Sequence, residues 1–295
     1  MNDQPLVSVV IATYNMGQYL PAAVKSVCDG DYQSVEVIII DDGSDDDSKS
    51  LLGDLLNDPR VRYIYQENAG QPKAKNAGVQ QAKGEFIAFC DADDAWRSDK
   101  LSKQLPCFAD PEVGVVYTEV SYVDQHGNAF SKPVPYTRHS GWVCEQILLK
   151  NFVPFGTSVV RKACFDSVGL FDESIQMGID WDFWLRCSLS WKFEYVPEAT
   201  YIYREWEGQM STNYRGRYDS AFSILEKFEK HYGENISDGA IKAARADNYI
   251  SKGITYFEHE RSFWEPLGYI LKGLVIDPTN IPGWKNAIKV ILRWR

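Results

Sequence analysis

The first third of the chain alternates between two hydrophobic periods, and few folds accept that alternation. The runs LVSVVIAT (6–13), VEVIII (35–40), VRYIY (61–65) and EFIAFC (85–90) are short, apolar and rich in β-branched residues. Such near-continuous runs belong to strands covered on both faces of a sheet. Between them stand residues at helical spacing: Leu20, Ala23, Val24 and Val27, then Leu51, Leu52, Leu55 and Leu56, then Ala74, Ala77 and Ala82 behind a Pro72 suited to a first turn. SDKLSKQLPCF continues as a helix with Ser98 expected as its cap, and VGVVYTEVSYV reads as a strand ending in the turn DQHGN. Strand–helix alternation at this spacing predicts an α/β open sheet with mostly parallel strands. Ligands of such sheets bind at the carboxyl ends of the strands. Here those ends read TYN, DDGS and DADD, so three polar clusters are expected to share one crevice.

The second half is less regular. FVPFGTSVV (152–160) reads as a loop and strand. DWDFWLRCSL (180–189) reads as an amphipathic helix with Phe183, Trp184 and Cys187 at helical spacing, and FEYVPEATYIYR as a strand. From about residue 215 the pattern is helical only, which marks an appended helical segment.

Composition narrows the function classes. With 44% hydrophobic and 14% aromatic residues, the 295-residue chain can bury a substantial core. Its formal net charge of −10 disfavours a nucleic-acid partner. The six cysteines form no C-x-x-C pair and are expected as small core residues, and the four histidines form no ligand cluster. MNDQPLVSVV has no basic region followed by a long apolar run, and no stretch approaches 18 apolar residues, so neither leader nor membrane span is expected and the protein reads as cytoplasmic.

Closing a buried strand on Asp91, Asp93 and Asp94 is costly, because neighbouring carboxylates repel and lose hydration. In extended chain Asp91 and Asp93 project to one side. Oxygen ligands of this kind suit Mg²⁺ or Mn²⁺. The competing reading is a solvated acidic turn. Asp42, at the end of the second strand, could accept hydrogen bonds from a base or ribose, whereas Asp45, Asp46 and Asp47 read as caps of the next helix. Tyr14 could stack on a base or sit in the core. NAGQPKAKNAG places Lys73 and Lys75 near a helix N-terminus but matches neither dinucleotide-binding nor P-loop spacing; Lys73 reads as a solvated lysine. Asp180 and Asp182 in GIDWDFW stand at a helix start, as caps or as a general base.

In order and rough spacing, VSVVIATYN, EVIIIDDGS, NAGQPKAKNAG, GEFIAFCDADD and GIDWDFWLR resemble the family 2 glycosyltransferases of bacterial glycan biosynthesis, over about residues 5 to 210. The resemblance implies a GT-A fold. It implies a catalytic domain over 1–214, with a nucleotide-sugar half to about 117 and an acceptor half over 118–214, and a helical segment over 215–295. It implies a nucleotide pocket at Ala12, Tyr14, Asp42, Lys75, Asp91 and Ala92, with Asp93, and Asp91 as a second candidate, holding Mn²⁺ or Mg²⁺ on the diphosphate, and Asp94 assisting. Asp180 matches the family's catalytic base, with Asp182 as the alternative. Gly156, Thr157 and Trp181 would lie on the acceptor side. The chain departs from the family pattern at Lys75 (often Arg), at Ile179 (usually acidic) and at Trp206, where a histidine often follows the YR element; the last leaves Arg204 as the cation for the diphosphate.

The implied reaction is metal-assisted single displacement with inversion, from a nucleotide-sugar, most often a UDP-sugar, to a hydroxyl of a glycan or lipid-linked acceptor. The alternatives are a non-catalytic nucleotide-sugar-binding partner of another transferase and a nucleotidyltransferase, whose glycine-rich basic N-terminal loop VIATYNMGQYL lacks. The end of the chain adds one more expectation. In GWKNAIKVILRWR (283–295), Lys285, Lys289 and Arg293 line one helix face and Trp284, Ala287, Ile288 and Ile291 another. That pattern fits peripheral contact with an anionic membrane, docking on the catalytic domain, or self-association into a homo-oligomer.

Overall fold

The computed structural model describes residues 4–133, 137–260 and 262–293. Residues 1–3, on which the expectation of no leader partly rests, and Trp294 and Arg295 of the basic stretch lie outside the described residues. In chain order the elements are β1 (Val7–Thr13), α1 (Leu20–Cys28), β2 (Val35–Asp42), α2 (Ser48–Leu51), β3 (Val61–Gln66), α3 (Gln71–Gln81), β4 (Phe86–Phe89), β5 (Ala95–Trp96), α4 (Lys100–Gln104), β6 (Val113–Asp124), β7 (Ala129–Phe130), α5 (Cys144–Leu149), β8 (Val159–Arg161), α6 (Lys162–Val168), α7 (Ile179–Ser188), β9 (Lys192–Glu205), α8 (Tyr214–Tyr232), α9 (Asp238–His259), α10 (Trp264–Ile276) and α11 (Ile281–Arg293). They fall into two compact units. One comprises Met1–Val143, Phe152–Ser174 and Arg186–Gly208, the other Cys144–Asn151, Ile175–Leu185 and Gln209–Arg295.

The first unit is built on one sheet in the order β3-β2-β1-β4-β8-β6-β9-β5, with β7 beside β6. The expected parallel pairing holds for β3–β2, β2–β1, β1–β4 and β6–β9, whereas β8 runs antiparallel to both β4 and β6, and β5 antiparallel to β9, so the sheet is mixed beyond β4. The β-branched runs explain the core: Val7, Val9 and Ile11 of β1 and Val37 and Ile39 of β2 are buried with Leu20, Val24 and Val27 of α1. Register places Thr13 opposite Asp41, so β1 and β2 finish together at one edge, with β4 on the other side of β1.

Two local expectations are corrected. The helix expected through Leu51–Leu56 is only the four-residue α2 followed by a 3₁₀ stretch, Gly53–Asn57. Gly53 has φ +49, which a right-handed helix cannot continue through. Asp99 rather than Ser98 stands at the N-cap of α4, and its side chain makes no capping bond.

The second unit is helical. The side chains of Asn213 and Ser237 cap α8 and α9 by accepting from the backbone N–H of Gly216 and Ala240. Ile250 of α9, Leu267, Ile270 and Leu274 of α10, and Ala287 and Val290 of α11 form its buried cluster. The residue near 215 where a helical segment was expected lies in the last stretch of this unit, which also takes in 144–151 and 175–185. The expected amphipathic helix, α7, is instead buried round its circumference, from Ile179 and Trp181 to Phe183, Trp184 and Leu185. Among the described residues no helix is long and apolar enough to cross a membrane.

Candidate active site

The acidic cluster forms where β4 runs out. Asp91 accepts from the Lys75 ammonium at 3.0 Å, and that ammonium, buried, lies 3.9 Å from the centre of the Phe155 ring. Lys75 is therefore already the counter-charge of Asp91, while Lys73 is exposed as expected. Asp93 accepts through Oδ2 from the Trp206 indole at 2.8 Å, and its carbonyl accepts from Arg204 Nε at 3.0 Å. Asp94 is buried. Its Oδ2 accepts from the Tyr201 hydroxyl at 2.7 Å and its Oδ1 from the Arg204 backbone N–H at 2.8 Å. Burial, then the charges of Asp93 and Asp91, push the Asp94 carboxyl well above the usual carboxylate range. The charges of Asp93 and Asp91 thus lie close enough to disfavour ionisation of the buried Asp94. Asp94, expected to assist a ligand, has both oxygens engaged in holding β9.

Tyr201 was not singled out by the sequence reading. Its hydroxyl donates to Asp94 and accepts from the backbone N–H of Asp91 at 3.2 Å, so one phenol fixes two members of the cluster. It reaches them because residue 156 is glycine: a Cβ there would lie 2.1 Å from Tyr201 Cζ. Gly156 and Thr157, expected on the acceptor side, are buried in the 3₁₀ turn Phe155–Thr157 and serve this packing. The Thr157 carbonyl accepts from Lys100 Nζ at 2.6 Å and from Gln104 Nε2 at 2.9 Å. Sequence spacing could not pair FGTS with a tyrosine more than forty residues later.

Lys100 is fully buried, bonded also to Gln104 Oε1 at 2.6 Å, and burial pushes its ammonium down to about 7. In the unfolded chain the same group titrates near 10.5. Between pH 7 and 9 the unfolded chain therefore binds a proton that the folded chain does not, and stability contributed through Lys100 rises with pH. Melting temperatures measured across that range should show a growing advantage of wild type over Lys100→Met. A constant offset between the two proteins would mean that Lys100 is charged in the fold.

The other strand ends supply the rim. Tyr14 is 46% exposed after β1, and Ala12 is half-buried within it. Asn15 accepts from the Asp45 N–H at 2.8 Å, and Asp46 accepts from the Gly17 N–H at 2.8 Å, which ties the β1–α1 loop to the β2–α2 loop. Asp46 also accepts from Ser48 N–H at 3.0 Å, whereas Asp47 at the N-cap makes no side-chain capping bond; of the three acids read as caps, Asp46 plays that part. Asp42 is buried, accepting from Gln66 Nε2 at 2.6 Å, Ala69 N–H at 2.9 Å and Gly70 N–H at 2.8 Å. Its evident work is to shape the loop entering α3. Ala92 is buried in the core. The Arg204 guanidinium lies 5.1 Å from the centre of the Tyr19 ring, with the Trp206 ring 6.1 Å from Tyr19, an aromatic–cation group beside Asp93.

In the second unit, Asp180 is half-buried in the first turn of α7 and accepts from Asn151 Nδ2 at 2.9 Å. Asp182 is buried and paired with Lys227 of α8 at 2.7 Å. Trp181, expected toward the acceptor, is buried and donates its indole N–H to the Ile147 carbonyl at 2.7 Å. Of the two aspartates, Asp182 is held in a structural pair and Asp180 is the more accessible.

Known proteins resemble this chain in sequence and in fold. The family described as "Glycosyl transferase family 2" matches residues 8–166. An uncharacterized glycosyltransferase of Rickettsia typhi is 30% identical over 273 residues, 90% of this chain and 82% of that protein. Among solved structures, S. aureus TarS 1-349 in complex with UDP-GlcNAc superposes with a TM-score of 0.70 at 18% identity, over 97% of this chain and 89% of that one. The mannosyltransferase PcManGT from Pyrobaculum calidifontis, in complex with GDP-Man and Mn²⁺, gives 0.64 at 15% identity, over 99% and 88%. The mixed sheet is therefore that of a GT-A fold, and the chain belongs to glycosyltransferase family 2.

Proposed function

We propose that the protein transfers a sugar from a nucleoside diphosphate donor to a hydroxyl of a glycan or lipid-linked acceptor, by a single displacement that inverts the anomeric carbon. The observation that carries this reading is the crowding of Asp91, Asp93 and Asp94 at the end of β4, where burial and mutual repulsion raise the Asp94 carboxyl. A divalent cation would relieve that load. Among the described residues no three His, Cys, Asp or Glu side chains form a ready cage; Asp93, with Asp91 as the second candidate, would hold the ion. Mg²⁺ or Mn²⁺ bound there supplies Lewis-acid stabilisation of the departing diphosphate. The Mn²⁺ in the structure of PcManGT supports the choice of ion.

The chain's own groups do the rest. Tyr14 offers an exposed ring to the base, and Asp42 fixes the loop beside it. Arg204 places a cation next to Asp93, where diphosphate charge would gather. Asp180, oriented by Asn151, takes the proton of the attacking hydroxyl. Structural neighbours hold UDP-GlcNAc in one case and GDP-Man in another, so the fold does not choose the base. UDP is the first donor to test. A lipid-linked acceptor would be met at a membrane surface, on the cytoplasmic side.

A thermal-shift panel of uridine, guanosine and thymidine diphosphate sugars, with and without Mn²⁺, tests the reading, followed by nucleotide release with candidate acceptors. A single nucleotide should raise the melting temperature, and more so with metal present. Stabilisation by none of them would refute the proposal. Binding without release across the acceptor panel would point to a non-catalytic partner.

A further inference from the structure

The last helix carries three faces where an ordinary docked helix carries two. In α11, Gly283, Ala287 and Val290 recur at helical spacing and are buried. Ala287 and Val290 pack with Ile250, Leu267, Ile270 and Leu274 of the neighbouring helices α9 and α10. That face is sufficient to hold the helix on its unit. A second stripe, Ile281, Trp284, Ile288, Ile291 and Leu292, is also apolar, yet these side chains remain 41–65% exposed. A third stripe is basic: Lys285, Lys289 and Arg293 follow one another four residues apart, all exposed. The adjoining helix α10 repeats the pattern, with Trp264 and Val275 each 80% exposed and Leu271 and Lys272 also in solvent. Large apolar side chains left in water along one side of a helix mark a surface that something covers.

We propose that this surface of α10 and α11 lies on an anionic lipid bilayer. The apolar stripe would enter the acyl boundary, and Lys285, Lys289 and Arg293 would meet the headgroups. Charge complementarity selects this occupant. The whole chain carries −10, but no acidic residue follows Asp277, so the end of the chain is cationic in an acidic protein. A second copy docking by the same face would set like-charged side chains beside one another, with no carboxylate of α11 to offset them. A lipid surface supplies hydrocarbon and negative charge together. Trp284 suits the boundary between them: its indole N–H is satisfied by the Pro278 carbonyl at 2.9 Å, which fixes the ring at the start of the helix. Neither described helix is long and apolar enough to span, so α10 and α11 would lie on the bilayer, not through it. This inference does not depend on the reading of the acidic cluster.

Flotation of the full chain with vesicles tests it, using phosphatidylcholine alone and phosphatidylcholine mixed with phosphatidylglycerol, whose headgroups supply the negative surface potential. The wild type should float with the anionic vesicles, less so as salt rises, and stay in solution with the zwitterionic ones. The triple charge reversal Lys285→Glu, Lys289→Glu, Arg293→Glu should lower partitioning on the order of 100-fold. The exposed pair Trp284→Ala, Ile288→Ala should lower it at constant charge. Light scattering of the same samples, with melting temperature as the check on folding, completes the set. Three results would overturn the proposal: no flotation of wild type with anionic vesicles, undiminished flotation of the folded charge-reversed protein, or a dimer that these substitutions dissociate in the absence of lipid binding. Metal-dependent nucleotide binding, measured alongside, reports on the active site separately.

Discussion

Asp93→Ala should lower sugar transfer on the order of 10³-fold or more, since the Lewis-acid contribution it would remove amounts to several kcal/mol of transition-state charge. The fold should survive the change. Asp93 is half-buried, and the Arg204 guanidinium bonds its carbonyl, which alanine retains. What the variant loses is the carboxylate that accepts from Trp206. Steady-state release of nucleotide across a manganese titration is the measurement. The metal requirement should shift or vanish together with the rate, while the melting temperature without ligand stays close to wild type. Asp94→Asn serves as the contrast. Its carboxyl is buried and bridges Tyr201 and the Arg204 backbone, so its first effect should be on stability. Wild-type turnover by Asp93→Ala, with metal chelated, would sink the assignment of the ion to this cluster.

Asp180→Asn should lower kcat by about 10²–10⁴-fold, the usual contribution of a positioned general base, and leave donor affinity unchanged. The amide can still accept from Asn151 but cannot take a proton. Asp182→Asn should behave differently. It breaks the pair with Lys227, whose carboxylate member is buried, and so should lower the melting temperature with a lesser effect on kcat. Measuring kcat, donor Kd and melting temperature for both variants separates base from structural partner. If Asp182→Asn abolishes turnover at unchanged stability while Asp180→Asn does not, the roles exchange.

Elements whose signal is local were legible in the amino-acid sequence. The β-branched runs of β1, β2, β3 and β4 announce themselves because both faces are covered, and Pro72 lies in the first turn of α3 as its missing N–H allows. The helix expected through Leu56 failed at a single backbone angle, Gly53, that a leucine pattern does not reveal. The amphipathic reading of α7 failed because a helix covered all round carries polar residues that are paired inside, as Asp182 is with Lys227. The packing of the FGTS turn as a buried seat for Tyr201 was not legible either, because it arises only once β8 and β9 are placed in one sheet.

By itself the sequence determined that acidic residues would stand at the carboxyl ends of parallel strands, since the strand runs and the helices alternating with them follow from local hydrophobic pattern. Only the tertiary structure decided which of those acids are already engaged. Asp42 is taken up by residues 24 to 28 positions away and Asp94 by residues 107 and 110 positions away. A carboxylate's availability depends on which donors surround it in space, and those donors come from strands whose pairing no local period encodes. The same holds for α11: composition showed it to be amphipathic, but which apolar face would be buried and which left exposed was settled by the helices packed against it.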